Sequence, residues 1–247
     1  MKQGGLVCVC LVLFFVCCLP VVAQPNYRSV ETFEVDSFDT PNEMEWSWQV
    51  QTSRFIAEGY PRLAYFENVP NPLRVKLKDS ENTPMVLGVS TSFNRKGDNW
   101  FEILPTTTDE NGDMSNHEIP LQGNVAQLDF WVWGGNYLYY LEVLVRDADG
   151  RVHVLKAGDL AFSGWKNVVI NVPTYIRQRS KLRTGARTLT FVGFRVRTDP
   201  NEYVDDFKVY FDQIRYTANL LDEIYDGYDL NDADFTAATA NSGEAGQ

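Results

Sequence analysis

Two apolar runs, Leu128–Gly134 (LDFWVWG) and Leu138–Val145 (LYYLEVLV), stand either side of a glycine–asparagine corner at Gly135-Asn136. Both are rich in aromatic and β-branched residues and too short to cross a membrane, so they predict strands rather than helices. Asp147-Ala148-Asp149-Gly150 predicts a tight hairpin into Arg151–Leu155, and Ser163–Val172 (SGWKNVVINV) continues the same pattern. The first run is apolar on both faces: Phe130 and Val132 point one way, Trp131 and Trp133 the other. A sheet with one face on a core should alternate apolar with polar residues. Something must therefore cover the tryptophan face.

Alternation elsewhere predicts strands over Ser29–Phe38, Trp46–Val50, Leu63–Phe66, Leu73–Lys78, Met85–Phe93, Asn99–Leu104, Arg187–Thr198 and Asp206–Thr217. Turns are expected at Gly59-Tyr60-Pro61 and Pro70-Asn71-Pro72, and a polar loop over Pro105–Asn116. Tyr175–Thr184 reads as a long connection or short helix. About ten short strands with frequent Gly/Pro/Asn punctuation predict an all-β fold, an antiparallel β-sandwich of the jelly-roll kind. Parity puts Leu141, Val143 and Val145 on one face and Tyr140, Glu142 and Leu144 on the other. It likewise groups Val192, Phe194 and Val196 against Phe191, Arg195 and Arg197. With the aliphatic sets in the core, the opposite faces offer Trp131, Trp133, Tyr140, Arg195 and Arg197. Rings beside guanidinium groups suit sugar stacking, an acidic partner, or cation–π pairs within the sheet. Cover by the chain's own loops or tail is the structural alternative.

The N-terminus changes the compartment. Lys2, an apolar stretch Leu6–Leu19 and the small residue Ala23 read as a secretory signal peptide over residues 1–23. All four cysteines (Cys8, Cys10, Cys17, Cys18) fall inside it, so the exported chain relies on a hydrophobic core without disulfides. No Asn-x-Ser/Thr sequon occurs, which fits a bacterial envelope. Residues 24–217 have room for one β domain, and 218–247 form an acidic tail with no Lys or Arg, expected to be partly disordered. Three aromatics in that tail, Tyr225, Tyr228 and Phe235, fit docking of its first half on its own domain or a neighbour. The formal net charge of −11 argues against nucleic acid or an anionic membrane surface as partner.

Catalytic chemistry is sparse. His117 and His153 have no partner spacing for a metal or a nucleophile relay, and no phosphate loop, dinucleotide fingerprint or Gly-x-Ser-x-Gly is present. Glu102 and Glu142 could form a glycosidase pair only if one cleft held both; strand-surface acids are the simpler reading. No catalytic residue, no metal ligand set and no cofactor is assigned. Glu34, Asp36 and Asp212 would converge if the first and last strands are neighbours, which suits either a structural Ca²⁺ or solvated, hydrogen-bonded carboxylates. Gly164-Trp165 reads as a bulge or corner with a buried ring, and Trp46 and Trp48 as core.

Diffuse fold-level signals, such as the LDFWVW strand, the Asp-x-Asp-Gly hairpin and the YFDQI strand, resemble carbohydrate-binding (galactose-binding-like) jelly-roll modules. A closer match lies in VETFEVDSFDT, WSWQVQTSRFIAEGYPRL, LDFWVWGGNYLYYLEVLVRDADGRVHVL, GWKNV, VGFRVRTDP and VYFDQIRYT. These segments resemble the spirochaete flagellar filament outer-layer (sheath) protein family, FlaA, over nearly all of the exported chain. The resemblance implies a structural role in an outer layer around a flagellin-like core of the periplasmic flagellum, with effects on filament stiffness, shape and motility. It also implies neighbouring sheath subunits as partners, export with a cleaved leader, and location in the periplasm. The missing heptads set the chain apart from helical core flagellins. The resemblance carries no catalytic set. A periplasmic carbohydrate-binding module, with glycan on the same aromatic face, is the other function the residues allow.

Overall fold

The computed structural model describes residues 29–75, 83–180 and 188–220. The proposed leader and most of the acidic tail lie outside these residues. Among the described residues, thirteen strands and one helical turn succeed one another in chain order: β1 (Val30–Asp36), β2 (Ser47–Thr52), β3 (Arg62–Glu67), α1 (Asn71–Arg74), β4 (Met85–Thr91), β5 (Trp100–Thr108) and β6 (Met114–Asn116). The second half comprises β7 (Ile119–Pro120), β8 (Asn124–Gly135), β9 (Tyr139–Arg146), β10 (Val152–Asp159), β11 (Ser163–Asn171), β12 (Thr190–Thr198) and β13 (Phe207–Asn219). They form an antiparallel jelly-roll sandwich. The first sheet has the order β11-β8-β13-β4-β3 with β1 also on β13, and the second has β10-β9-β12-β5-β2 with β6 on β5 and β7 on β12.

Alternation builds the core directly. Phe130 and Val132 of β8 and Phe211 of β13 face Ile103, Val143 and Phe194 of the second sheet, all essentially inaccessible to solvent. Phe194 packs between the sheets, edge-on to Phe130 at 4.9 Å and stacked on Phe211 at 4.6 Å. The hairpin at residues 147–150 is present: Gly150, at φ 89°, donates its N–H to Asp147 O at 2.9 Å.

Three sequence expectations change here. The pattern over Leu73–Lys78 predicts a strand, but its described part begins within the single turn α1, where Pro72 sits in the first turn and loses no helical hydrogen bond; residues 76–82 lie outside the described part. The expected loop over Pro105–Asn116 is instead a hairpin: β5 runs on to Thr108 and β6 pairs back with it. The third change is in β12. Its pairing with β9 shifts between Phe191 and Gly193, so Phe191 enters the main core while Val192 joins Leu104 and Leu144 in a separate apolar cluster. A strand read with strict parity places those two residues the other way round.

Candidate functional site: two outward sheet faces

The five expected surface residues do not form one face. Trp131 and Trp133 lie on β8 of the first sheet, whereas Tyr140 on β9 and Arg195 and Arg197 on β12 belong to the second. The core separates them, so the molecule presents two different outward surfaces.

On the first sheet, register sets up a lateral row of rings. Trp165 of β11 pairs with Trp133, Trp133 with Tyr210 of β13, and Tyr210 with Gly88 of β4. Gly88 is what lets the row continue: a Cβ there would lie 2.6 Å from the Phe66 ring and 2.8 Å from Tyr210. Tyr210 therefore meets Trp133 at 5.4 Å and Phe66 at 5.6 Å, both edge-to-face. Trp133 is thus flanked by Tyr210 edge-on and by Trp165 in register, whereas Trp131 pairs with Asn167 and Asp212 and its buried Nε1 has no hydrogen-bond partner among the described residues. The cover is incomplete: Phe66 stays 47 % exposed, beside a cavity of about 310 Å³ that Arg62 and Lys208 also line. Gly164 and Trp165 lie in an unbroken register with β8, with no bulge between them. Trp48 lies in the core as expected, while Trp46 is half-buried and stacks on His117 at 5.2 Å.

The second face carries charge. Cross-strand register lines up Lys156, Glu142, Arg195, Glu102 and Gln51 over all five main strands. The adjoining row holds Tyr140, Arg197 and Trp100. Arg195 Nε donates to Glu102 Oε1 at 2.7 Å, and its Nη1 lies 3.9 Å from Glu142 Oε2. Arg197 Nη1 is 3.9 Å from Glu142 Oε1, so that buried carboxylate is held by two guanidinium charges without a direct hydrogen bond from either. Tyr140 donates its hydroxyl to Asp199 Oδ2 at 3.1 Å. Because Arg195 sits between Glu102 and Glu142, the gap that a glycosidic bond would need is filled. His153 Nε2 lies 2.6 Å from Asp147 Oδ2, which ties the histidine to the hairpin.

The first and last strands are neighbours. Glu34 of β1 pairs with Arg215 of β13, and β1 and β4 flank successive halves of the same β13 edge. Asp212 lies near that junction, almost fully buried; burial, then Asp39, Glu34 and Asp36, push its carboxyl up to about 7. Glu34 is raised by burial and by Asp39 and Asp36. Asp36 is raised by burial although it accepts from Trp48 Nε1 at 2.8 Å and Phe38 N at 2.7 Å. Among the described residues, no group of three or more His, Cys, Asp or Glu has the arrangement to hold a metal ion.

A protein-family model described as flagellar filament outer layer protein FlaA matches residues 29–224, the whole sandwich. The chain belongs to this family. Among curated FlaA-like relatives, a putative flagellar filament outer layer-like protein of Brachyspira hyodysenteriae is 24% identical over 198 residues, covering 80% of this chain and 83% of that one. The flagellar filament outer layer protein of Treponema pallidum is 33% identical over 104 residues, covering 38% of this chain and 30% of that one. Similar solved structures include a family 11 carbohydrate-binding module of a Clostridium thermocellum cellulase, with TM-score 0.36 and 12% identity, covering 76% of this chain and 95% of the module. A family 29 module complexed with cellulohexaose has TM-score 0.38 and 8% identity, covering 82% of this chain and 100% of the module. Alternation along the chain does not mark Trp100, Trp165, Tyr210 and Phe66 as members of these two surfaces. Their significance comes from register between distant strands, for which the chain offers no local signal.

Proposed function

We propose that this chain is a non-catalytic structural subunit of the outer layer of the flagellar filament, exported to the periplasm. It would contact flagellin-like core proteins and neighbouring copies, and so contribute to filament shape, stiffness and motility. The observation that carries this reading is the family match over residues 29–224. The sandwich suits the role because it has two chemically unlike outward faces, one a row of rings and one a row of charges. A subunit in a layer needs separate surfaces for separate neighbours. The leader reading over residues 1–23 supports export. Purified flagella stripped of their outer layer should release this chain while the core filaments remain. Full retention on stripped cores, or absence from intact flagella under immunogold labelling, would overturn the reading.

A second reading, binding of glycan in the periplasm or on the filament, is favoured by Trp100 and Tyr140, exposed at 36 % and 41 % on either side of Arg197. Rings flanking a guanidinium suit a sugar face and its hydroxyls. Calorimetry with oligosaccharides should then show binding that Trp100→Ala and Tyr140→Ala abolish with unchanged melting. No heat from any glycan tested, including filament glycan, would remove this reading and leave the first intact.

A further inference from the structure

At one end of the sandwich a cavity of about 780 Å³ opens beside the end of β13 and the segment following β11. Its apolar wall includes Val30, Val172 and Ile176, and Val30 is left 56 % exposed. Arg177 and Arg179 add positive charge, and no carboxylate is among the described residues lining it. Arg177 also reaches Asp149, outside the wall, at 3.3 Å in an exposed pair. Gln178 holds the wall in place, accepting from Val125 N at 2.6 Å and donating to Val125 O at 2.8 Å. In a chain of net charge −11, a wall whose described residues include two arginines and no acid is a local exception.

The chain itself leads to this cavity. Asn219, the last residue of β13, lines it, and Leu220 N donates to Ser29 O at 2.9 Å. The described chain therefore ends at the cavity rim. The next nine residues are Leu221-Asp222-Glu223-Ile224-Tyr225-Asp226-Gly227-Tyr228-Asp229, acidic and periodically apolar, and no Lys or Arg occurs from there to residue 247.

We propose that residues 221–229 of the same chain dock in this cavity. Ile224, Tyr225 and Tyr228 would lie against the Val30, Val172 and Ile176 wall, and Asp222, Glu223 and Asp226 would face Arg177 and Arg179. Reach is ample, since eight extended residues span about 26–29 Å. A tether this short gives an effective concentration in the mM range, so contacts too weak to hold a free peptide suffice. The same economy favours the chain's own tail over that of a neighbouring copy.

The test places a benzoylphenylalanine photo-cross-linker at Tyr228 in the full chain and maps the adducts by mass spectrometry. Adducts should form within one chain, on the peptide spanning Val172–Arg179 or on Val30, with a yield independent of protein concentration. Neutralising the segment with Asp222→Asn, Glu223→Gln and Asp226→Asn should cut that yield by about fivefold, because exposed charge pairs contribute modestly and multiply. Molar salt should act in the same direction. Adducts scattered over both sheets would overturn the proposal. So would adducts that join two chains and rise with concentration, which would make a second copy's tail the occupant. A yield unchanged by the three substitutions and by salt would also overturn it as stated. None of these outcomes depends on whether the chain sits in a filament layer.

Discussion

Asp212 is the residue whose surroundings most alter its chemistry. Folding places it in a near-dry position with three other carboxylates close by, so it keeps its proton up to about pH 7. In the unfolded chain it would lose that proton near pH 4. Between those values the folded state binds more protons than the unfolded one, so stability falls as pH rises through the interval and levels off above it. Glu34 and Asp36, also raised, add to the same trend. Asp212→Asn should therefore raise the melting temperature at about pH 8, with a gain on the order of a few kcal/mol that shrinks toward about pH 5. Thermal melts of both proteins across that range check it; equal gains at both ends would contradict the buried-carboxyl account. Asp36 shares that trend but is also held by two good donors, Trp48 Nε1 and Phe38 N. Trp48→Phe removes the indole N–H and leaves a buried carboxylate oxygen short of a partner, at a cost of about 1–3 kcal/mol in urea unfolding.

At the scale of elements, the bulge in β12 decides which side chains reach the second outward face. Gly193 has φ 150°, and a Cβ there would lie 2.4 Å from Ile103 O and 2.7 Å from Leu104 Cδ2. Gly193→Ala should cost about 3 kcal/mol from backbone strain and crowding, seen as a lowered urea midpoint with little change in slope. The bulge also explains how legible this strand is. Phe194, Val196, Arg195 and Arg197 obey simple alternation, so the sequence assigns them correctly, while Val192 is the extra residue left out of the register with β9, and it and Phe191 exchange sides. The α1 turn shows a comparable limit. Apolar periodicity over six residues cannot separate a short strand from a helical turn when prolines stand at its start.

At the scale of the whole molecule, no disulfide can staple the described sandwich, since every cysteine lies within the first 18 residues. Its stability rests chiefly on the main core that runs between the sheets. Reducing agent should therefore leave the melting temperature of the chain without residues 1–23 unchanged; a drop under reductant in the full chain would mean that Cys8, Cys10, Cys17 or Cys18 is bridged. The charged face makes a different prediction. Arg195 stands between Glu102 and the buried Glu142, so Arg195→Met should destabilise by about 1–3 kcal/mol, and adding Glu142→Gln should recover part of the loss. A double-mutant cycle showing strict additivity would mean that Arg195 and Glu142 are not coupled.

Much is determined by the sequence alone. Period-two alternation and Gly/Asn/Pro punctuation imply strands and turns, because side-chain direction along a strand and φ at a turn are local properties. The sandwich class and its inward residues derive from them, and so does the apolar second side of Trp131 and Trp133. Motif resemblance then points to the family that the match over residues 29–224 confirms. Only the tertiary structure decided which strand lies beside which. That choice placed Trp131 and Trp133 on one surface and Tyr140, Arg195 and Arg197 on another. It also set Tyr210 edge-on to both Trp133 and Phe66, put Trp165 in register beside Trp133, and brought Asp212 near Glu34 and Asp36. Strand neighbours come from closing long loops around a shared core, and that free energy is non-local.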